Sequence, residues 1–264
     1  MSILEAIILG ALQGLTEFLP VSSSGHLQLA KELLGVELTS NLAFDVLLHM
    51  ATVLSTVVVL WSEIWWLIKG LFSRGMNDEK SYFLKLVVSM IPIGVVGLLL
   101  RDKIDALLSS QYIMVVVGAM LLLTAVLLSF AYYAKPRNKT TISYGDAFVI
   151  GLGQAVASMP GLSRSGTTIA TGLMLGNEKG AVATFSFLMV LAPIVGQTIL
   201  DVADGGLSIV GVSTTVLVAG FVSAFVVGCL ACKTMIGIVK RGKLIWFALY
   251  CAIVGTIAIA SYFM

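Results

Sequence analysis

Charge is what this chain has least of. Only 11% of its 264 residues are Asp, Glu, Lys or Arg, where a soluble domain carries roughly a quarter. That scarcity excludes a water-facing surface over most of the fold. With 58% hydrophobic residues and a mean hydropathy of +1.03, the chain reads as an integral membrane protein. Cysteine is nearly absent too: there are three. Cys229 and Cys232 form a CxxC, but inside an apolar stretch, and Cys251 stands elsewhere. A zinc site needs more ligands and a redox pair needs access, so all three read as small packing residues. The N-terminus, Met-Ser-Ile-Leu-Glu, lacks a basic n-region and a small-x-small cleavage site; no cleaved signal peptide is expected. The net charge of +2 says little about partners, and no nucleic acid is expected among them.

What is abundant is apolar sequence. Six stretches approach the roughly 20 residues a bilayer crossing requires: 43–68, 82–100, 112–134, 181–203, 209–232 and 244–263. Trp61, Trp65 and Trp66, followed by Lys69, read as an interfacial belt ending the first. Two further stretches, 3–34 and 146–176, are apolar at their ends and broken in the middle. The breaks are Pro20-Val21-Ser22-Ser23-Ser24-Gly25 and Pro160-Gly161-Leu162-Ser163-Arg164-Ser165-Gly166. Half-helices this short, meeting at a polar bend, predict re-entrant hairpins buried in protein or lining a wet cavity.

The two broken stretches match without a gap at an offset of 141: Gly10 on Gly151, Gln13 on Gln154, Ser22 on Ser163, Ser24 on Ser165, Gly25 on Gly166 and Gly35 on Gly176. Phe44, Leu47 and Ala51 continue the match onto Phe185, Leu188 and Ala192. The chain therefore reads as one membrane domain, 1–264, holding repeats of approximately 1–134 and 142–264. A hairpin plus three spans ends each repeat on the opposite side from its start, which inverts the second relative to the first. The expected fold is an all-α polytopic membrane protein, with six transmembrane helices plus two re-entrant helical hairpins in an inverted-topology repeat.

Basic residues orient it. Lys69, Arg74, Lys80, Lys85, Lys135, Arg137, Lys139, Lys179, Lys233, Lys240, Arg241 and Lys243 fall on one side; Lys31, Arg101 and Lys103 fall on the other. The positive-inside rule makes the first side cytoplasmic. Both termini are then extracytoplasmic, the first hairpin enters from outside, and the hairpin tips meet within the membrane.

The tips carry the chemistry. Helices restarting after Ser22-Ser23-Ser24 and Ser163-Arg164-Ser165 aim free N–H groups and positive dipole ends at one place. Serines there cap or donate, while Gly25 and Gly166 allow close approach. Two helix N-termini with an arginine make an anion site, and phosphate is the natural occupant. Arg164 near the bilayer centre costs at least about 2.5–3.5 kcal/mol, so it needs a partner, either a ligand or an ion pair with Glu17. Glu17 follows Gln13 by four residues, on the same face; it suits a divalent cation or acid–base work. His26 lies three residues after Ser23, a nucleophile-plus-base spacing. Asp45 and His49, at i and i+4, either orient His26 or Glu17 or pair with each other. Gln154, Thr167 and Thr168 read as supporting hydrogen-bonders.

Gln13-x-x-x-Glu17 followed by Pro20-Val21-Ser22-Ser23-Ser24-Gly25-His26, together with Pro160-Gly161-x-Ser163-Arg164-Ser165-Gly166 and Phe44-Asp45, resembles the bacterial undecaprenyl-diphosphate phosphatase family of the bacitracin-resistance type, over essentially the whole chain. It does not resemble the acid-phosphatase-like lipid phosphatases. The resemblance implies removal of the terminal phosphate from undecaprenyl diphosphate in the bacterial inner membrane, yielding undecaprenyl phosphate, the lipid carrier for peptidoglycan precursors, and resistance to bacitracin. It implies help from Mg²⁺ or Ca²⁺, a homodimer, and functional positions at Glu17, Ser23, His26 and Arg164; by the residues, Glu17 is the candidate metal ligand, with Gln13 as a second candidate. Position 13 is Gln where many members carry Glu, which disfavours a two-carboxylate metal site. On the residues alone, Ser23 attacks with His26 as base, or His26 attacks or activates water, while Glu17 binds metal or protonates the leaving group. The site is expected to open outward. The rival class is a lipid transporter on the same inverted-repeat frame, which needs no nucleophile; a structural scaffold fails on the cost of Arg164 and Glu17 in lipid.

Overall fold

The computed structural model describes residues 1–36, 42–108, 110, 112–134, 139–203 and 213–263. Lys135, Arg137 and residues 209–212 of the fifth predicted span lie outside them. Among the described residues the chain is helical throughout: α1 (Ile3–Phe18), α2 (Ser23–Leu33), α3 (Leu42–Val59), α4 (Trp61–Leu71), α5 (Asp78–Leu99), α6 (Arg101–Leu108), α7 (Ile113–Tyr133), α8 (Tyr144–Val156), α9 (Arg164–Met174), α10 (Lys179–Met189), α11 (Leu191–Ala203), α12 (Thr214–Lys240) and α13 (Ile245–Tyr262). Five helical runs are long and apolar enough to cross a membrane: α5, α7, α12, α13 and the joined α10–α11, from Lys179 to Leu200. The break inside that last run has a local cause. Pro193 has no N–H to offer the Met189 carbonyl, so the ladder lapses at Val190.

The first predicted span, 43–68, is not one helix. α3 and α4 meet at an angle of 77°, and Leu60 between them leaves helical geometry at φ −102°, ψ 27°. The preceding Ser55-Thr56-Val57-Val58-Val59 run is a weak helix former, and the buried Leu60 side chain anchors the corner. α3 alone has 18 residues, about 27 Å at 1.5 Å per residue, close to the thickness of a hydrocarbon core. The tryptophans therefore belong to a separate helix that turns away from the span. Trp61 stacks on Trp65, with ring centroids 6.0 Å apart, and Lys69 Nζ sits 5.3 Å over the Trp65 ring.

Local chemistry sets the hairpin helices in register. α1 and α8 begin at Ile3 and Tyr144, and α2 and α9 begin at Ser23 and Arg164, 141 residues apart in both cases. The starts are capped alike. Ser2 with Glu5, and Ser143 with Asp146, each close a reciprocal capping box. The long contacts are crossed: α1 packs along α12 and α8 along α5, while α7 pairs with α13. Glycine makes the first two possible. A Cβ on Gly10 would stand 2.3 Å from the Gly220 carbonyl oxygen, and one on Gly151 would stand 2.3 Å from that of Ser89. One turn along α1, a Cβ on Gly14 would stand 2.5 Å from the Ala224 oxygen. Backbone cannot yield as a side chain can, so Gly14→Ala should cost about 1–3 kcal/mol through overpacking, seen as a lower melting temperature in detergent.

The three cysteines are free, with Cys232 and Cys251 buried, as packing residues should be. Cys251 also donates weakly to the Pro20 carbonyl at 3.4 Å, tying α13 to the first hairpin tip. Outward faces of α7, α12 and α13 stay apolar, with Phe130, Leu230, Trp246 and Ile257 all exposed, as a lipid-facing surface requires.

Candidate functional site

Each tip is shaped by a proline and a residue that leaves the usual backbone region. α1 stops at Leu19, held extended at ψ 143° by the proline that follows it. Ser22 then takes φ +71°, a left-handed conformation uncommon for a serine. Its hydroxyl accepts from Gly25 N at 3.4 Å and lies 3.3 Å from Ser24 Oγ. In the second tip Gly161 takes φ +90°, and a Cβ there would stand 2.6 Å from Val117 Cα. Ser163 caps α9 by accepting from Gly166 N at 3.1 Å, and its own N–H donates to Thr124 Oγ1.

The two tips touch. Ser165 Oγ donates to the Leu19 carbonyl at 3.3 Å, and Gly166 leaves room for Pro20, whose Cβ would lie 3.1 Å from an added methyl. Gly25 does the same toward Val117. Between the tips lies a cavity of about 150 Å³ bounded by Glu17, Ser22, Ser23, Ser24, His49, Ser163, Arg164 and Ser165. Ser23 and Arg164, 141 positions apart, are each the first residue of their helix. The first positions of α2 and α9 thus supply a hydroxyl on one side of the cavity and a guanidinium on the other.

Glu17 is the hub. Its Oε2 accepts from Ser23 Oγ at 2.6 Å and from Gln13 Nε2 at 3.0 Å, and stands 4.0 Å from His49 Nε2. Gln13 is fully buried, and its Oε1 has no partner among the described residues. Arg164 makes no ion pair with Glu17: among the described residues no carboxylate lies within 4.0 Å of it, and its buried Nη1 has no hydrogen-bond partner. A guanidinium facing a cavity with a donor unspent is poised for an anion.

The two histidines are placed unlike the spacing suggested. His26 does not meet Ser23. It is 8% exposed and lies off the cavity lining, with Nδ1 2.8 Å from the Ser22 carbonyl and Nε2 2.7 Å from Tyr250 Oη. A carbonyl only accepts, so Nδ1 carries the proton, and the neutral ring takes the tyrosine proton at Nε2. The i to i+4 reach back to Ser22 and the Tyr250 ring stacked at 5.6 Å together turn the imidazole away. His49 is the histidine at the cavity; its Nδ1 donates to the Asp45 carbonyl at 2.8 Å. The Asp45 carboxylate goes instead to the buried Lys31, pinning the end of α2 to the start of α3.

Lys31 and Tyr250 were not singled out as partners in the sequence. A lone lysine ending a short helix is a weak signal, and a tyrosine in an apolar span is none. Lys31→Met strands a partly buried carboxylate, so it should cost toward the lower end of the roughly 3–5 kcal/mol of a broken buried pair. Asp45→Asn in the same chain should restore most of the melting temperature. In the second hairpin Gln154 is fully buried, and neither its amide atoms nor Thr167 Oγ1 finds a partner among the described residues; Thr168 bonds back to the Arg164 and Ser165 carbonyls.

The family described as "Bacitracin resistance protein BacA" matches residues 6–257. The chain belongs to that family. A BacA-family relative from Bacteroides fragilis, named undecaprenyl-diphosphatase, is 57% identical over 258 residues, covering 97% of this chain and 96% of its own. One of the same name from Bacteroides thetaiotaomicron is 57% identical over 264 residues, covering 99% of both. Another, from Methanosphaera stadtmanae, is 38% identical over 279 residues, covering 98% of both. These relatives cover 97–99% of the chain, so the residues around the cavity lie within the match.

Proposed function

We infer that this chain is a multi-pass inner-membrane phosphatase that hydrolyses undecaprenyl diphosphate to undecaprenyl phosphate and inorganic phosphate. Family membership and the shared name of its relatives support the substrate. One observation carries the chemistry: the Arg164 guanidinium, without an ion pair among the described residues, shares a cavity with a Ser23 hydroxyl already donating to Glu17.

Phosphoryl transfer asks for positioning and charge stabilisation more than for covalent chemistry. Arg164 and the starts of α2 and α9 hold the non-bridging oxygens of the terminal phosphate. Ser23 Oγ attacks that phosphorus as its proton passes to Glu17 Oε2. The anhydride P–O bond breaks, and undecaprenyl phosphate leaves with the electron pair. Water then cleaves the phosphoserine, returning the hydroxyl and releasing phosphate. His26 holds the Ser22 carbonyl and so the left-handed turn that aims Ser23. His49 stands beside Glu17 to tune its charge.

Among the described residues no group of three His, Cys, Asp or Glu side chains could hold a metal. The donors present nevertheless fit a hard cation that draws other oxygens from substrate and water: the Glu17 carboxylate and the orphaned Gln13 Oε1. Mg²⁺ or Ca²⁺ held there would neutralise diphosphate charge. Equal helix spacing and the crossed α1–α12 and α8–α5 contacts support an inverted repeat with re-entrant hairpins, and the basic-residue bias supports extracytoplasmic termini and an outward opening.

The test is phosphate release from undecaprenyl diphosphate by purified protein in detergent, with and without Mg²⁺. Turnover is expected. Its absence in folded protein under every cation would favour a lipid transporter on the same frame.

A further inference from the structure

A second cleft lies away from the hairpin tips, where α4 meets the first turns of α5 and α10 and the last turn of α12. Its volume is about 380 Å³, larger than the cavity between the tips. Glu63, Trp66, Tyr82, Glu178 and Lys240 supply its polar and aromatic wall, and Ala181, Thr184 and Leu188 line one face of α10.

The wall is specific about charge. Glu178 is committed: its two carboxylate oxygens accept from Gly180 N at 2.9 Å and Ala181 N at 2.7 Å, and those bonds hold its pKa below the ordinary carboxylate value. Among the described residues Glu63 accepts no backbone hydrogen bond and takes only the neighbouring Ser62 hydroxyl, at 2.5 Å. Beside it Trp66 and Tyr82 meet edge to face, with centroids 5.9 Å apart, and Tyr82 rests on Phe185. A carboxylate next to two electron-rich rings recognises an ammonium group. Lys240 reaches the same cleft beside Glu178, which feels its charge, but no carboxylate lies within 4.0 Å of its ammonium among the described residues, so it keeps donors for a phosphate. The α10 residues lining the cleft, Ala181, Thr184 and the buried Leu188, recur at helical spacing and carry no charge. The tryptophan-bearing α4, bent 77° from its span, is the kind of element that lies among head groups.

We propose that this cleft binds an aminophospholipid of the phosphatidylethanolamine type, its ammonium at Glu63 between Trp66 and Tyr82, its phosphate at Lys240 and an acyl chain along α10. Two carboxylates against one lysine disfavour a purely anionic head group.

Native mass spectrometry of delipidated protein tests this, using phosphatidylethanolamine and phosphatidylglycerol with identical acyl chains. Wild type should retain the ethanolamine lipid about five- to tenfold more tightly, the scale of one ion pair plus one cation–π contact. Glu63→Gln and Trp66→Leu, both on an accessible helix, should erase that preference without lowering the melting temperature in detergent. Equal retention of the two lipids by wild type, or a preference that survives both substitutions, overturns the proposal. So does a preference lost only together with the fold.

Discussion

Arg164→Ala is expected to lower turnover of undecaprenyl diphosphate by at least about 10²–10³-fold, the usual cost of removing one preorganised donor from a developing oxyanion. Arginine in this role reaches about 10³–10⁵ where it meets a transferring phosphoryl group directly. Arg164→Lys keeps the charge and loses the planar fork, so it should recover only part of the rate. A second readout separates this from a structural role. Among the described residues the guanidinium makes no ion pair and keeps a buried Nη1 without a partner, so deleting it removes an uncompensated polar group. The alanine variant should melt in detergent no lower than wild type. A large fall in melting temperature with a proportionate loss of rate would instead mark Arg164 as a structural pin.

Ser23→Ala and Glu17→Gln should each lower kcat by about 10²–10⁴-fold, the range for losing a positioned nucleophile or base. The two groups share one hydrogen bond of 2.6 Å, so they act as a unit and the double variant should cost little more than the worse single one. His26→Ala discriminates between mechanisms. Its ring is bound to the Ser22 carbonyl and to Tyr250, so its loss should be smaller than that of Ser23→Ala, and Tyr250→Phe should reproduce part of it. Were His26 the base for Ser23, the His26 and Ser23 variants would be equally inactive and Tyr250→Phe nearly silent. Initial rates of phosphate release across a pH series decide this, since Glu17→Gln should also remove the acid limb of the profile.

Both predictions rest on features of different legibility. The breaks at Pro20 and Pro160, the capping serines and the matched glycines are visible in the residue string because each acts within a few positions: proline withholds an N–H, a serine bonds three residues on, and a glycine admits a close neighbour. Hydropathy marked six crossings for the same reason, since a lipid-facing helix needs about 20 apolar residues in a row. It does not show that 43–68 bends by 77° at Leu60 into two helices, because hydropathy runs smoothly through the corner. The pairing of side chains is another matter. Ser23 and His26 have the spacing of a catalytic couple, yet the hydroxyl turns to Glu17 across the bend.

By itself the sequence determined a helical membrane protein, its two broken segments, and the short polar set at their tips, because hydropathy, proline geometry and capping are local and additive. Only the tertiary structure decided what those residues do to one another. His26 meets Tyr250 at a separation of 224 residues, Asp45 finds Lys31 rather than His49, and Arg164 arrives beside Glu17 without pairing to it. Those outcomes depend on how α1, α7, α12 and α13 close around the tips, and the distances involved, a few ångströms between groups far apart in the chain, are set by packing and by no local rule.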